Sequence, residues 1–164
     1  MDKQLVVLQV SQEHYGIDIF CVESIIRVQP LTKVPNTPSF VEGVTNLRGT
    51  VLPVVDLRRR FGLPVRTPDK DTRIVVVEMG GTTVGVSVDA VIEVRKVPEE
   101  SIDAPSPLVS TVDTAFITGI AKVGDERLII VLDVERVLDS DEKAILEAFQ
   151  PSESALPAPP TSSS

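Results

Sequence analysis

Val6–Val28 reads VVLQVSQEHYGIDIFCVESIIRV, and Val75–Val97 reads VVVEMGGTTVGVSVDAVIEVRKV. A shift of 69 sets Gly16 on Gly85, Ile17 on Val86 and Ile19 on Val88. Further along, Phe40–Arg60 (FVEGVTNLRGTVLPVVDLRRR) aligns with Phe116–Arg136 (FITGIAKVGDERLIIVLDVER) at a shift of 76. Phe40 then meets Phe116 and Gly43 meets Gly119; after a one-residue slip, Asp56 meets Asp133 and Leu57 meets Val134. Each half reads as strand, turn, strand, long connection, Phe-x-x-Gly strand, strand, Asp, short helix. Two copies are too few for a solenoid, so the chain reads as a pseudo-symmetric pair of small β units. One turn is not duplicated: the first copy has Asn46-Leu47-Arg48-Gly49 where the second has Lys122-Val123-Gly124-Asp125. Structure is repeated there but chemistry is not, which makes that turn the first place to look for function.

The composition agrees with a β protein. The chain has 164 residues, enough for one domain, or for two intimately joined small ones, with a sound core. Valine is abundant, tryptophan is absent and tyrosine occurs once; β-branched residues suit a pleated, half-buried surface. A net charge of −8 argues against a nucleic-acid partner and against anionic membrane surfaces. No apolar run approaches the length of a membrane-spanning helix, so no direct membrane insertion is expected. The first residues, MDKQLVVLQV, lack the features of a signal peptide, and the single cysteine, Cys21, fits a reducing cytoplasm.

Leu5–Val10 is almost wholly apolar, as expected of a strand buried on both faces or set in a small closed barrel. Tyr15–Phe20 returns as a strand with Ile19 in the core, and Val22–Ile26 reads as a short helical turn. Pro30, Pro35 and Pro38 mark an irregular crossing. Phe40–Leu47 and Thr50–Val55 form a hairpin around Arg48-Gly49, followed by a short helix Leu57–Phe61. After a polar linker, Val65–Thr72, the pattern recurs: Arg73–Met79, a Gly80-Gly81 turn, Thr82–Val88, a proline-bearing crossing Pro98–Val112, a hairpin from Ala115–Val123 and Arg127–Leu132, and a short helix Asp133–Leu138. A final helix is expected through Phe149, and Pro151–Ser164 reads as a disordered Pro/Ser-rich tail behind a folded unit of residues 1–150. About ten short strands with tight turns imply an all-β architecture, most simply two small barrels.

Catalytic constellations are scarce. His14 and Cys21 are the one possible base–nucleophile pair, and a small buried cysteine near a turn histidine is the plainer reading. No zinc spacing, phosphate loop or dinucleotide fingerprint occurs, so no cofactor or metal is implied. Asp56 and Asp133 are related by the repeat and could share a proton as an acid–base dyad. Both, however, sit between a strand and a short helix, where an aspartate satisfies free backbone N–H groups. Val112-Asp113-Thr114-Ala115 superficially resembles an aspartic-protease motif, but its repeat mate Thr37 carries no carboxylate. Arg58-Arg59-Arg60 reads as a solvated helix face or as the partner of an acidic strip. What remains is the turn Asn46–Gly49: either simply a well-made turn, or one carrying a docking arginine with fork-shaped donors.

Those residues carry a resemblance. Asn36-Thr37-Pro38, Phe40, Gly43–Gly49 and Pro53–Leu57, with Tyr15–Ile19, Gly85–Asp89 and Leu128–Asp133, are similar to the signature of the CheW family of bacterial chemotaxis coupling proteins. The likeness covers roughly residues 4–149. It implies two five-stranded SH3-like barrels around a shared core, with short helices and a C-terminal helix. It implies no enzymatic activity, but a cytoplasmic scaffold recruited to membrane-associated receptor arrays. There it would bridge the cytoplasmic tips of chemoreceptors to the histidine kinase CheA, through CheA's C-terminal CheW-like regulatory domain. A coupler for another chemosensory pathway would look the same. By position, Val22, Ser24 and Arg48 match kinase-contact residues. Asn46, Leu47, Arg48, Gly49, Gly85, Val91 and Val94 match the receptor side, where a groove between the barrels would take a receptor helix. One departure stands out: the family often carries Val-x-Glu-Ile where this chain has Val22-Glu23-Ser24-Ile25, which moves the acid one place back.

Overall fold

A computed structural model describes residues 2–35, 37–64, 67–79, 81–104, 116–124 and 127–137. The expected final helix, the tail and the Val112–Ala115 motif lie outside them.

The first half runs β1 (Asp2–Val10), β2 (Glu13–Asp18), a 3-10 turn (Ile19–Cys21), β3 (Val22–Arg27), β4 (Val41–Leu47), β5 (Thr50–Asp56) and α1 (Leu57–Arg60). The second half runs β6 (Arg73–Met79), β7 (Thr82–Val88), β8 (Ala90–Pro98), a 3-10 turn (Glu99–Ser101), β9 (Ile102–Asp103), β10 (Ile117–Val123), β11 (Arg127–Leu132) and α2 (Val134–Val137). Val22–Ile26 is therefore a strand and not a helical turn. Its Val22, Ser24 and Ile26 face inward while Glu23, Ile25 and Arg27 face out, and it pairs antiparallel with β6. β-branched residues favour that pleat over a helix. The strand expected over Tyr15–Phe20 ends at Asp18, whose carboxylate caps the 3-10 turn. Ile19 accordingly packs on the core only partly buried, and Ile17 is the fully buried residue.

The strands form two sheets, ordered β8-β1-β2-β11-β10-β9 and β3-β6-β7-β5-β4. The two β units are built by exchange. The β1–β2 hairpin of the first half joins β8, β10 and β11 of the second, and the β6–β7 hairpin of the second half joins β3, β4 and β5 of the first. The parallel contacts β2–β11 and β5–β7 are equivalent, with Leu132 opposite Ile17 and Val55 opposite Val86. Asp133 N–H donates to Phe116 O and Asp56 N–H to Phe40 O, each at 2.8 Å.

The long apolar runs are explained by burial on both strand faces. Val6, Leu8 and Val10 of β1, with Tyr15 and Ile17 of β2, pack against Val75, Val77, Val84 and Val86 in a layer between the sheets. The alternate residues Leu5 and Val7 face a second cluster with Ala121, Ile129 and Val131 inside the first barrel. Gly16 and Gly85 occupy equivalent inward positions where side chains leave no room. A Cβ at Gly16 would lie 3.0 Å from both Ile129 and Leu5, and one at Gly85 would lie 2.8 Å from Ile74.

Candidate functional site

β4 and β5 run in register to the pair Leu47–Thr50, which leaves Arg48-Gly49 as a two-residue loop. Both have positive φ, 55° at Arg48 and 85° at Gly49, the geometry of a type I′ turn that matches strand twist. Glycine adopts this freely, whereas arginine is held there against its preference. Asn46 closes the turn by accepting the Gly49 N–H at 2.8 Å through its side-chain oxygen. The Arg48 side chain is exposed and makes no hydrogen bond or ion pair among the described residues.

Arg48 and Leu47 border a surface hollow of about 280 Å³ whose opposite wall is Glu23 and Ser24 of β3. Two of the residues expected on the kinase side, Ser24 and Arg48, thus share one depression on the second barrel, while Val22 is partly buried against the central core. The displaced acid, Glu23, points outward and accepts from the Thr83 hydroxyl at 3.4 Å. On the receptor side the expected residues are not all together. Asn46, Leu47, Arg48 and Gly49 are at the hairpin tip, Gly85 is inside the second barrel, and Val91 and Val94 lie on β8 of the first barrel. Val94 is about half exposed and Val91 packs on the central core. In the repeat, Val22 corresponds to Val91 and Ile25 to Val94, so the two expected contact strands are structural equivalents.

The paired aspartates are caps. Asp56 accepts the Arg58 N–H at 2.9 Å and Asp133 the Glu135 N–H at 3.0 Å. Burial pushes the Asp56 carboxyl above the ordinary range, opposed by the Arg58 N–H and by the Arg59 and Arg58 charges. The triple arginine is not a solvated face. Arg58 forms a bidentate pair with Asp89, Arg59 lies 3.5 Å from Asp56, and Arg60 donates to Val137 O at 2.6 Å. His14 sits at the start of β2, accepting from Arg127, while Cys21 lies beyond the other end of that strand. No group of metal-ligating side chains occurs among the described residues, and no helix there is long and apolar enough to cross a membrane. Sequence reasoning passed over Phe20, which is 90 % exposed. Its signal was the repeat itself, which sets this aromatic on Asp89.

The site therefore comprises two interlocked all-β barrels, an exposed arginine held at positive φ on one hairpin tip, and repeat-related aspartates that cap short helices. The CheW-like domain family matches residues 4–142, and the chain belongs to that family. It is 35% identical over 145 residues to the chemotaxis protein CheW of Klebsiella aerogenes, covering 88% of this chain and 87% of that one. It is 36% identical over 138 residues to CheW of Helicobacter pylori, covering 84% and 82%. The crystal structure of the scaffolding protein TtCheW from Thermoanaerobacter tengcongensis superposes with a TM-score of 0.78 at 43% identity, over 87% of this chain and 91% of that one. The chain is a non-enzymatic chemotaxis coupling adaptor, in a family whose scaffold role implies chemoreceptors and CheA as partners.

Proposed function

We propose that this chain joins the cytoplasmic tips of chemoreceptors to CheA by meeting CheA's C-terminal CheW-like regulatory domain through the second barrel. Val22, Ser24 and Arg48 form the kinase side. Asn46–Gly49 and the β8 residues Val91 and Val94 serve the receptor side, with Gly85 holding the second barrel in shape behind them. The carrying observation is Arg48, kept at φ 55° with an exposed guanidinium beside Ser24 and no partner among the described residues. Strain of this kind persists where the surroundings over-determine it, often at functional sites. Arginine is also enriched among residues that dominate binding energy. Recruitment to membrane-associated arrays follows from the receptor contact.

The test is to titrate the chain separately against a CheA regulatory domain and a soluble receptor-tip fragment. Micromolar or tighter binding to both is expected, weakened by Arg48→Ala toward either partner and by Val91→Ser toward the receptor fragment. Unchanged affinities in both variants would overturn the assignment of surfaces, and a chain that binds neither partner would overturn the coupling itself.

A further inference from the structure

The two barrels differ at equivalent ends. Ser24 pairs with Val76 as Glu93 pairs with Val7, so the ladders set Ser24 on Glu93. Thr83 pairs with Glu78 as His14 pairs with Gln9, which sets Thr83 on His14. The closing pairs Leu47–Thr50 and Val123–Arg127 set Thr50 on Arg127.

In the first barrel these positions carry a closed polar network. Arg127 donates from Nε to His14 Nδ1 at 3.2 Å, and a terminal nitrogen lies 3.2 Å from Glu93 Oε2. Arg95 approaches the same oxygen at 3.4 Å. The Glu93 carboxylate is thus shared by two guanidinium groups. In the second barrel all three positions are hydroxyls. Ser24, Thr50 and Thr83 line the hollow of about 280 Å³, over the buried Leu52 and Val76. Arg48 stands at the rim with no partner among the described residues. Glu23 borders the same hollow, but its carboxylate accepts from Thr83 at 3.4 Å and makes no ion pair with Arg48. One barrel fills its end with its own acid; the other surrounds a hollow with a cation and hydroxyl donors.

We infer that this hollow is a carboxylate subsite whose occupant is an aspartate or glutamate side chain of the kinase regulatory domain, which rests on the coupling reading above. The partner's carboxylate takes the place that Glu93 holds in the first barrel. Arg48 supplies the guanidinium, and Ser24 and Thr50 supply the hydroxyl donors. A guanidinium fork with unmet donors favours a carboxylate, whose two oxygens it matches. The hollow has room for a side chain but not for a helix, which is about 10 Å across. All of its lining lies in the second barrel, apart from β8, where the receptor-side valines Val91 and Val94 stand.

The probe is the kinase regulatory domain, with the receptor-tip fragment for comparison. Ser24→Ala with Thr50→Val removes two hydroxyls and should weaken the regulatory domain about fivefold while leaving the receptor fragment unchanged. Glu23→Gln takes a like charge from the rim and should strengthen the same association. A double-mutant cycle then pairs Arg48→Gln with single Asp→Asn and Glu→Gln changes over the surface of the regulatory domain. One acid should couple to Arg48, its neutralisation costing about tenfold with the arginine present and less than about twofold without it. Unchanged affinity in the hydroxyl variant, or no coupled acid on a domain that still binds, overturns the subsite alone. Weaker binding in Glu23→Gln also overturns it, because the partner would then present a cation. Loss of the receptor fragment in place of the regulatory domain overturns the choice of occupant. A wild-type chain that binds neither probe overturns the coupling reading, and the subsite with it.

Discussion

Arg48 sits in a backbone conformation that costs an L-residue about 1–2 kcal/mol relative to its preferred regions. An asparagine there would make Asn-Gly, the preferred pair for this turn type. Arg48→Asn is therefore expected to melt at the wild-type temperature or higher, by the equivalent of up to about 1 kcal/mol, while losing affinity for its partners. Loss of stability in step with loss of binding would show that the arginine is structural. A second residue-scale effect concerns Glu42. Burial and the neighbouring Asp56 raise its carboxyl above the ordinary range, with a Ser87 hydrogen bond and the Arg59 and Lys33 charges opposing them. A raised carboxylate means that the folded chain holds its proton longer than the unfolded one. Its contribution is thus complete below about pH 4.3 and declines as pH rises through the raised value. Glu42→Gln should be more stable than the wild type at pH 7, with the difference shrinking toward pH 4. Urea melts across that range measure it, and a difference independent of pH would mean that Glu42 is solvated in the folded state.

At the scale of elements, the paired glycines explain how two sheets share strands buried on both faces. A methyl group at Gly85 meets Ile74, Leu52 and Val54 at 2.8–3.3 Å, all of them buried. Gly85→Ala should cost about 1–3 kcal/mol in chemical denaturation, as overpacked cores do. Receptor affinity should fall only where the folded fraction falls; loss of affinity in fully folded protein would make position 85 a contact in its own right. The strands themselves were legible because valine-rich runs and Gly-bearing turns leave few alternatives. β3 was misread as helical because its outward Ile25 breaks the polar–apolar alternation that marks a half-buried strand. The caps at Asp56 and Asp133 were legible, since position between strand and helix determines their chemistry. The hairpin tip was legible for its composition, but the left-handed arginine was not, because a sequence does not state φ. Phe20 was hidden because an apolar residue at the end of an expected strand reads as core until the fold, ending that strand at Asp18, places it outside.

At the scale of the molecule, the exchange of hairpins between halves was not legible, since pairing partners separated by tens of residues leave no mark in local periodicity. Its consequence is physical. β1 finds β8, β2 finds β11, β3 finds β6 and β5 finds β7, so four ladders cross between the halves. The central layer also draws on both, with Val6, Leu8 and Ile17 against Val75, Val77 and Val86. A half alone would keep little beyond hairpins, the two-residue β9 on β10 apart, and isolated two-stranded hairpins are marginal in water. Its apolar strand edges would also invite aggregation. Splitting the chain between Pro68 and Asp69 should therefore give two fragments that each lack cooperative melting and slow amide exchange. Mixed at equal concentration, they should recover both, with a midpoint that rises with concentration as for any two-component fold. A fragment that folds cooperatively by itself would mean that each repeat closes its own barrel and that the crossed ladders are secondary. Recovery on mixing would instead make the joint between the barrels inseparable from the fold, so that residues shaping it, such as the Asp89–Arg58 pair, carry stability as well as shape.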